Sequence, residues 1–293
     1  MRSWQSVLFE KFLVFRGTKK KFLDAQLMNA FIEEKKAAQS YELPQKFREK
    51  HQIKKCTLHD MDVYTINEQD HPPKVIYYFH GGAYINDPLS FHWRYLVKLA
   101  NATGYTIVVP IYPKLPHVTH ERCFDAVHAL YDEMVKRYEA PMIFMGDSAG
   151  GGLALALAQD VKRLGKKQPV QIVLHSPWLD ITGEDPRYKE KEMIDPMLGV
   201  VGAQMLGKLW ANGIDGKDYR VSPLYGDLVD IGEIILFVGT GELLHVDAQL
   251  LREQAEKQGV TIRYFEFDKM NHVFPVFPIP EAKRAMEELL KII

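Results

Sequence analysis

The chain is short of cysteine, of net charge and of long apolar runs, and each shortage removes a class of protein. Its 293 residues hold two cysteines, Cys56 and Cys123, too few for a disulfide framework and without the spacing of a zinc site. Both read as reduced, buried thiols. Lys plus Arg number 37 against 38 Asp plus Glu, a formal charge of -1, so no overall field draws the chain to nucleic acid. No apolar run approaches the roughly 20 residues that span a bilayer. Residues 7–15 are apolar, but Glu10 and Lys11 interrupt them and no small-residue cleavage site follows, which argues against a signal peptide. The expectation is a cytoplasmic protein with no nucleic-acid partner and no stable membrane insertion.

What the sequence does have is the material of a globular fold: 46% apolar and 26% charged residues. Charge is uneven along it. Residues 1–60 carry 13 Lys or Arg against 7 Asp or Glu, a local +6 that the rest of the chain balances with -7. Trp4, Val7, Leu8, Lys11, Phe12 and Phe15 recur at helical spacing with Arg16, Lys19, Lys20 and Lys21 behind them. This is a basic amphipathic helix, expected to pack its apolar stripe on its own protein, with contact to a lipid surface the alternative.

From residue 53 onward short β-rich runs alternate with helix-period segments. Residues 53–58 and 63–66 flank a polar turn and predict an antiparallel start. Runs at 75–79, 106–111, 142–145, 170–174, 234–238 and 261–267 bring the number of predicted strands to eight. Strand and helix in alternation imply a mainly parallel sheet covered on both faces, an α/β class. The interval 181–232 breaks the rhythm: it has apolar positions such as Leu198, Leu206 and Trp210 but no strand signal. A structureless loop of that length is improbable in a compact domain, so a helical insertion is predicted there.

Gly146-Asp147-Ser148-Ala149-Gly150 fits G-x-S-x-G. It follows a predicted strand and precedes a Leu-Ala helical run, the context that a nucleophile elbow requires. A serine on so tight a turn needs glycine neighbours to relieve crowding, and the N-terminus of the next helix offers free amides to negative charge. A phosphate loop is excluded because Gly152 and Leu153, not Lys and Ser/Thr, follow Gly151, and Leu155 spoils a dinucleotide fingerprint. His80-Gly81-Gly82-Ala83 comes after another strand. Paired with the elbow, it supplies the second half of an oxyanion hole, with the N–H groups of Gly82, Ala83 and Ala149 as expected donors.

A serine hydroxyl needs a base. Of eleven histidines, His272 lies just beyond the last predicted strand, on the sheet end that carries Ser148. His117 and His120 match no metal-binding spacing, and His51, His59 and His71 lie in polar segments upstream. The orienting acid belongs on a loop between nucleophile and base. Glu242, four residues past the run 234–238, is the first candidate; Asp247, which also suits a helix first turn, Asp180 and Asp268 stay open.

With HGGA at 80–83, GDSAGG at 146–151, SPWLD at 176–180, GTGE at 239–242 and NHVFP at 271–275, the chain resembles the α/β-hydrolase fold enzymes of the hormone-sensitive-lipase-like group, the bacterial family IV esterases. The likeness covers nearly everything from residue 53. It implies an eight-stranded, mostly parallel sheet flanked by helices, and hydrolysis of short- to medium-chain carboxylic esters by a Ser148, His272 and Glu242 triad without metal or cofactor. It also implies a helical cap built from residues 1–52 and 183–231 over a core of 53–182 and 232–293. The family more often has Gly at position 83 and Asp at position 242. Trp178 and Asp180 read as structural, whereas Leu198, Leu206 and Trp210 are candidate pocket residues. The expected partner is a small-molecule ester, with a homodimer left open. Amide hydrolysis by the same triad, or a non-catalytic hydrolase fold serving as a ligand receptor, are the rival readings.

Overall fold

In the middle of the sheet the strands are apolar on both faces, and this decides the layering. Because successive side chains alternate in direction, Val75, Tyr77 and Phe79 enter one core cluster while Ile76 and Tyr78 enter another. The computed structural model describes residues 2–37 and 40–293. Its strands are β1 (Lys54–Leu58), β2 (Met61–Ile66), β3 (Val75–Phe79), β4 (Thr106–Pro110), β5 (Met142–Asp147), β6 (Gln171–His175), β7 (Glu233–Gly239) and β8 (Ile262–Phe267). They form one sheet in the order β1-β2-β4-β3-β5-β6-β7-β8. The β1–β2 and β2–β4 pairs are antiparallel and the others parallel. All eight predicted strands are present. Cys123 is buried as expected, whereas Cys56 is exposed on β1, at the sheet edge where little covers it.

Parallel neighbours require crossovers, and helices supply them. One face is covered by α6 (His120–Arg137), α7 (Ala149–Arg163) and α10 (His245–Lys257), the other by α5 (Ser90–Thr103) and α11 (Pro280–Leu289). Every crossover between parallel strands returns the chain to the same sheet end. The loops after β3, β5, β7 and β8 therefore gather there, although residues such as Gly82 and His272 are 190 positions apart in sequence.

The two irregular regions meet in space. The N-terminal segment forms α1 (Trp4–Arg16), α2 (Thr18–Leu23), α3 (Ala25–Lys36) and α4 (Gln45–Lys50), and the insertion forms α8 (Arg187–Ile194) and α9 (Val200–Ala211). Phe22, Met28 and Ile32 share a cluster with Leu206 of α9. The Lys19 ammonium donates to the carbonyl oxygens of Asp195, at 2.7 Å, and Glu192. On α9 the Trp210 ring stacks on Tyr84, 4.1 Å between centroids and 3° from parallel.

One expectation is corrected. The helix over Trp4–Arg16 forms, but the face it buries is not the predicted stripe. Ser6 and Leu13 are buried and Phe9 packs on Phe91 and Phe277, leaving Trp4, Leu8, Phe12 and Phe15 in solvent. The cause lies at the helix start. Ser3 donates its amide and hydroxyl to the Glu281 carboxylate at 2.5 and 2.9 Å and caps the Ser6 amide, which turns the Ser6 side inward.

Trp210→Ala should destabilise the protein by about 3–5 kcal/mol, as for other fully buried aromatic truncations. A lower denaturant midpoint at unchanged m-value would show it; an unmoved midpoint would mean that the α9 contact with Tyr84 contributes nothing.

Candidate active site

The loop between β5 and α7 is one residue long. Ser148 occupies it with φ 53° and ψ -125°, a sparsely populated backbone conformation that costs on the order of 1–3 kcal/mol. Its surroundings hold it there. The Ser148 amide donates to His175 O at 2.9 Å, and its carbonyl accepts from Gly152 N and Trp178 N at 3.1 and 2.9 Å. Gly150 lies against the end of β3, where a methyl group would run into the carbonyl oxygens of Phe79 and His80. The glycine is a requirement of that close approach.

One polar side chain meets the Ser148 hydroxyl, and others line up behind it. Past β8, His272 presents Nε2 at 2.9 Å from Ser148 Oγ, and its Nδ1 lies 2.6 Å from Glu242 Oε2. Glu242 stands just past β7. Its second oxygen accepts from Ser176 Oγ at 2.7 Å and Gly239 N at 2.8 Å, and Ser176 in turn accepts from Val273 N at 3.0 Å. The carboxylate is thus oriented at both oxygens, and Glu242 has no exposed surface. Burial alone would lower the His272 pKa. The hydrogen bond and charge of Glu242, with the charges of Asp195 and Asp147, outweigh it and leave the imidazole above its ordinary value.

The turn after β3 is built on a buried carboxylate. Asp147 Oδ1 accepts from Tyr78 Oη at 2.5 Å and Gly81 N at 3.0 Å, and Oδ2 faces His92 Nε2 at 3.1 Å. Leu89 N donates to His92 Nδ1 at 2.8 Å, which fixes the ring proton on Nε2, toward Asp147. Burial would raise the Asp147 pKa, yet His92, Tyr78 and the Gly81 amide together bring it down to about 2. His80 is neutral, pushed to about 3 by burial, with Nδ1 bonded to Gly81 O at 2.8 Å. Gly82 and Ala83 then take positive φ, 132° and 53°. Among the described residues no acceptor engages the amides of Gly82, Ala83 or Ala149. Three free donors therefore lie on the two turns nearest Ser148.

The other acid candidates lie elsewhere. Asp247 is buried, and its oxygens accept from Leu179 N at 2.6 Å, Asp180 N at 3.0 Å and Tyr188 Oη at 2.5 Å, with no contact to His272. Asp180 accepts from Thr182 N and Tyr225 Oη, and Asp268 is exposed. The candidate pocket residues all pack against other side chains. Leu206 and Trp210 have no exposed surface, because α9 presses them into the core, and Leu198 packs beside Tyr188, Leu243 and Val246. Sequence reasoning missed Ser176, Asp147, His92 and Asp195. Asp195 Oδ1 accepts from Met197 N and Leu198 N, and its Oδ2 from Leu243 N at 2.6 Å, joining the insertion to the residue after Glu242. Ser176 and Asp147 lie inside motifs already noticed, and a search for polar side chains within them would have found both. His92 and Asp195 carried no local signal. Among the described residues no group of three His, Cys, Asp or Glu side chains converges as a metal site, and no helix is long and apolar enough to cross a membrane.

Comparison with known proteins agrees with this fold. A family described as alpha/beta hydrolase fold matches residues 76–276. An esterase of Acinetobacter venetianus is 31% identical over 231 residues, 76% of each chain. An acetyl-hydrolase of Streptomyces hygroscopicus is 28% identical over 220 residues, 73% of each. The crystal structure of an esterase from the bacterial hormone-sensitive lipase family superposes with a TM-score of 0.82 over 99% of this chain and 97% of that one, at 23% identity, a likeness of fold.

Asp247 generates a stability prediction. Burial raises its carboxyl to about 7, against the opposing donation of Tyr188 and the Leu179 and Asp180 amides; unfolded, the value is about 3.9. The folded chain holds this proton more tightly, so the contribution is complete below pH 4 and is lost as pH rises through 7. Asp247→Asn keeps an acceptor oxygen and cannot ionise. Its stability advantage over wild type should widen by about 3 kcal/mol between pH 5 and 8, read from urea unfolding. Parallel curves would mean that the folded carboxyl is ionised throughout.

Proposed function

Because this chain belongs to the α/β-hydrolase fold family, in its hormone-sensitive-lipase-like group, and is a carboxylesterase, we propose that Ser148, His272 and Glu242 are its catalytic triad. The observation that carries this reading is the unbroken line from Ser148 Oγ through both nitrogens of His272 to Glu242, with contacts of 2.9 and 2.6 Å. Ser148 attacks the ester carbonyl while His272 Nε2 takes its proton. The negative charge that develops on the carbonyl oxygen is received by the amides of Gly82, Ala83 and Ala149, each worth roughly 100- to 1000-fold in turnover. His272 then hands its proton to the leaving alcohol, and an acyl group stays on Ser148. Water, deprotonated by His272, attacks that acyl-enzyme; the carboxylic acid leaves and the Ser148 hydroxyl is restored.

Glu242 holds the ring with Nδ1 protonated and offsets the imidazolium charge. Ser176 is a positioning residue, since its hydroxyl fixes the second Glu242 oxygen while Val273 N, beside His272, holds the hydroxyl itself. The N-terminal helices and the 183–231 insertion act as the cap. Their mutual packing and the Asp195 link to Leu243 support that reading, as does the small exposure of Ser148, 8%. Entry of an ester then requires the cap to shift. The acyl chains are short to medium, in keeping with so enclosed a serine, and the name of the Streptomyces relative points the same way. Each added methylene buried in the site contributes about 0.8 kcal/mol, so preference among acyl lengths is graded.

Ser148→Ala should abolish turnover of p-nitrophenyl butyrate and labelling by a fluorophosphonate. Glu242→Gln should lower kcat at least about a hundredfold, while Asp247→Asn stays within a few-fold of wild type; the reverse order would transfer the acid role to Asp247. The matching anilide should be a far poorer substrate than the ester, and equal rates would favour an amidase.

The pH profile gives an independent check. His272 must be neutral to act and its pKa is raised, so kcat/KM should fall as pH drops through a midpoint above the ordinary histidine value of about 6.5. A flat profile from pH 5 to 8 would count against His272 as the base.

A further inference from the structure

The outward face of α1 has no role in the fold or in the proposed chemistry. A helix that has docked normally turns its apolar side inward, yet this one keeps a second apolar side in water. Trp4 is 72% exposed, Leu8 60%, Phe12 45% and Phe15 88%. They stand one turn apart along a single line, opposite the buried Ser6 and Leu13. Exposed aromatic side chains aligned in this way mark a contact surface rather than scattered surface residues.

Charge identifies the occupant. Lys11 lies within the stripe, Arg16 ends α1, and Lys20 follows on α2 just past Gly17; all three are exposed, and among the described residues no carboxylate pairs with them. The acid on this helix, Glu10, is turned away and held by Arg2 at 2.5 Å. Across a twofold axis this face would meet a copy of itself, a patch with the same cations whose one acid, Glu10, is already held. A negatively charged lipid surface instead takes up the apolar stripe and neutralises the cations together, and Trp and Phe suit the boundary between headgroup and acyl chain.

The position of the face is also informative. Phe9, on the inner side of the same helix, packs on Phe277, five residues after His272, and on Phe91, beside His92. We infer that the outer face of α1 docks the protein on anionic lipid bilayers, at the sheet end that carries Ser148. This is contact in the interface plane, without insertion of a spanning helix, and it holds the esterase where acyl esters partition.

Trp4 provides the readout, because Trp93, Trp178 and Trp210 are buried. Mixed with phosphatidylglycerol–phosphatidylcholine vesicles, the protein should co-sediment and its tryptophan emission should shift to the blue. Both effects should weaken at least about tenfold between about 0.05 and 0.5 M salt and be absent with phosphatidylcholine alone. Leu8→Glu with Phe12→Glu should lose at least about tenfold in vesicle binding while hydrolysing soluble p-nitrophenyl acetate like wild type. If that pair unfolds, Lys11→Glu with Lys20→Glu carries the same expectation. Ser148→Ala should bind vesicles as well as wild type, so this result stands apart from the triad assignment. Absence of binding, equal binding to neutral vesicles, full binding by folded variants, or a solution dimer that Leu8→Glu and Phe12→Glu dissociate would each overturn the inference.

Discussion

The Ser148 backbone sits where serine is seldom found, and the neighbouring structure serves to keep it there. A strand that ends at Asp147 and a helix that starts at Ala149 leave one residue for a sharp reversal. The conformation survives because its amide and carbonyl are both bonded to the chain around β6, while Gly150 lets α7 press onto the end of β3. The hydroxyl is thereby lifted clear of its own helix and pointed at an imidazole. Release the turn, and neither the helix N-terminus nor the histidine would meet it.

Two buried side chains extend that constraint to the rest of the site. Asp147 joins the serine turn to the turn after β3 by accepting from the Gly81 amide, and its low pKa keeps it a pure acceptor across the working pH range. Ser176 does the corresponding task between the Glu242 and His272 loops. Each is a short polar bridge between segments that share no sequence neighbourhood. In a site with little water a satisfied bridge is rigid and an unsatisfied one costly, so these contacts define the geometry more sharply than apolar packing would.

The N-terminal helices show a helix with two apolar faces dividing its duties. The face chosen for burial on α1 is the one with fewer large side chains, since the Ser3 bonds to Glu281 set the rotation. The richer face, with its cations, remains available to a partner of opposite charge. Stability and recognition thus occupy different sides of one element.

Periodicity in the sequence determined the eight strands, the helices between them and the two irregular regions, because these follow from local alternation of apolar and polar residues. The motifs around Ser148 and His80 were legible for a related reason: glycine is demanded by close backbone approach wherever it occurs. Glu242 could be preferred over Asp247 by position, but only the fold separated them, turning one carboxylate to His272 and the other to the amides of Leu179 and Asp180. Tertiary structure alone decided that Trp210 belongs to the core, that α1 turns its aromatic stripe outward, and that His92 and Asp195 reach the site. Those outcomes depend on which surfaces meet across separations of tens to hundreds of residues, and no local pattern encodes such a meeting.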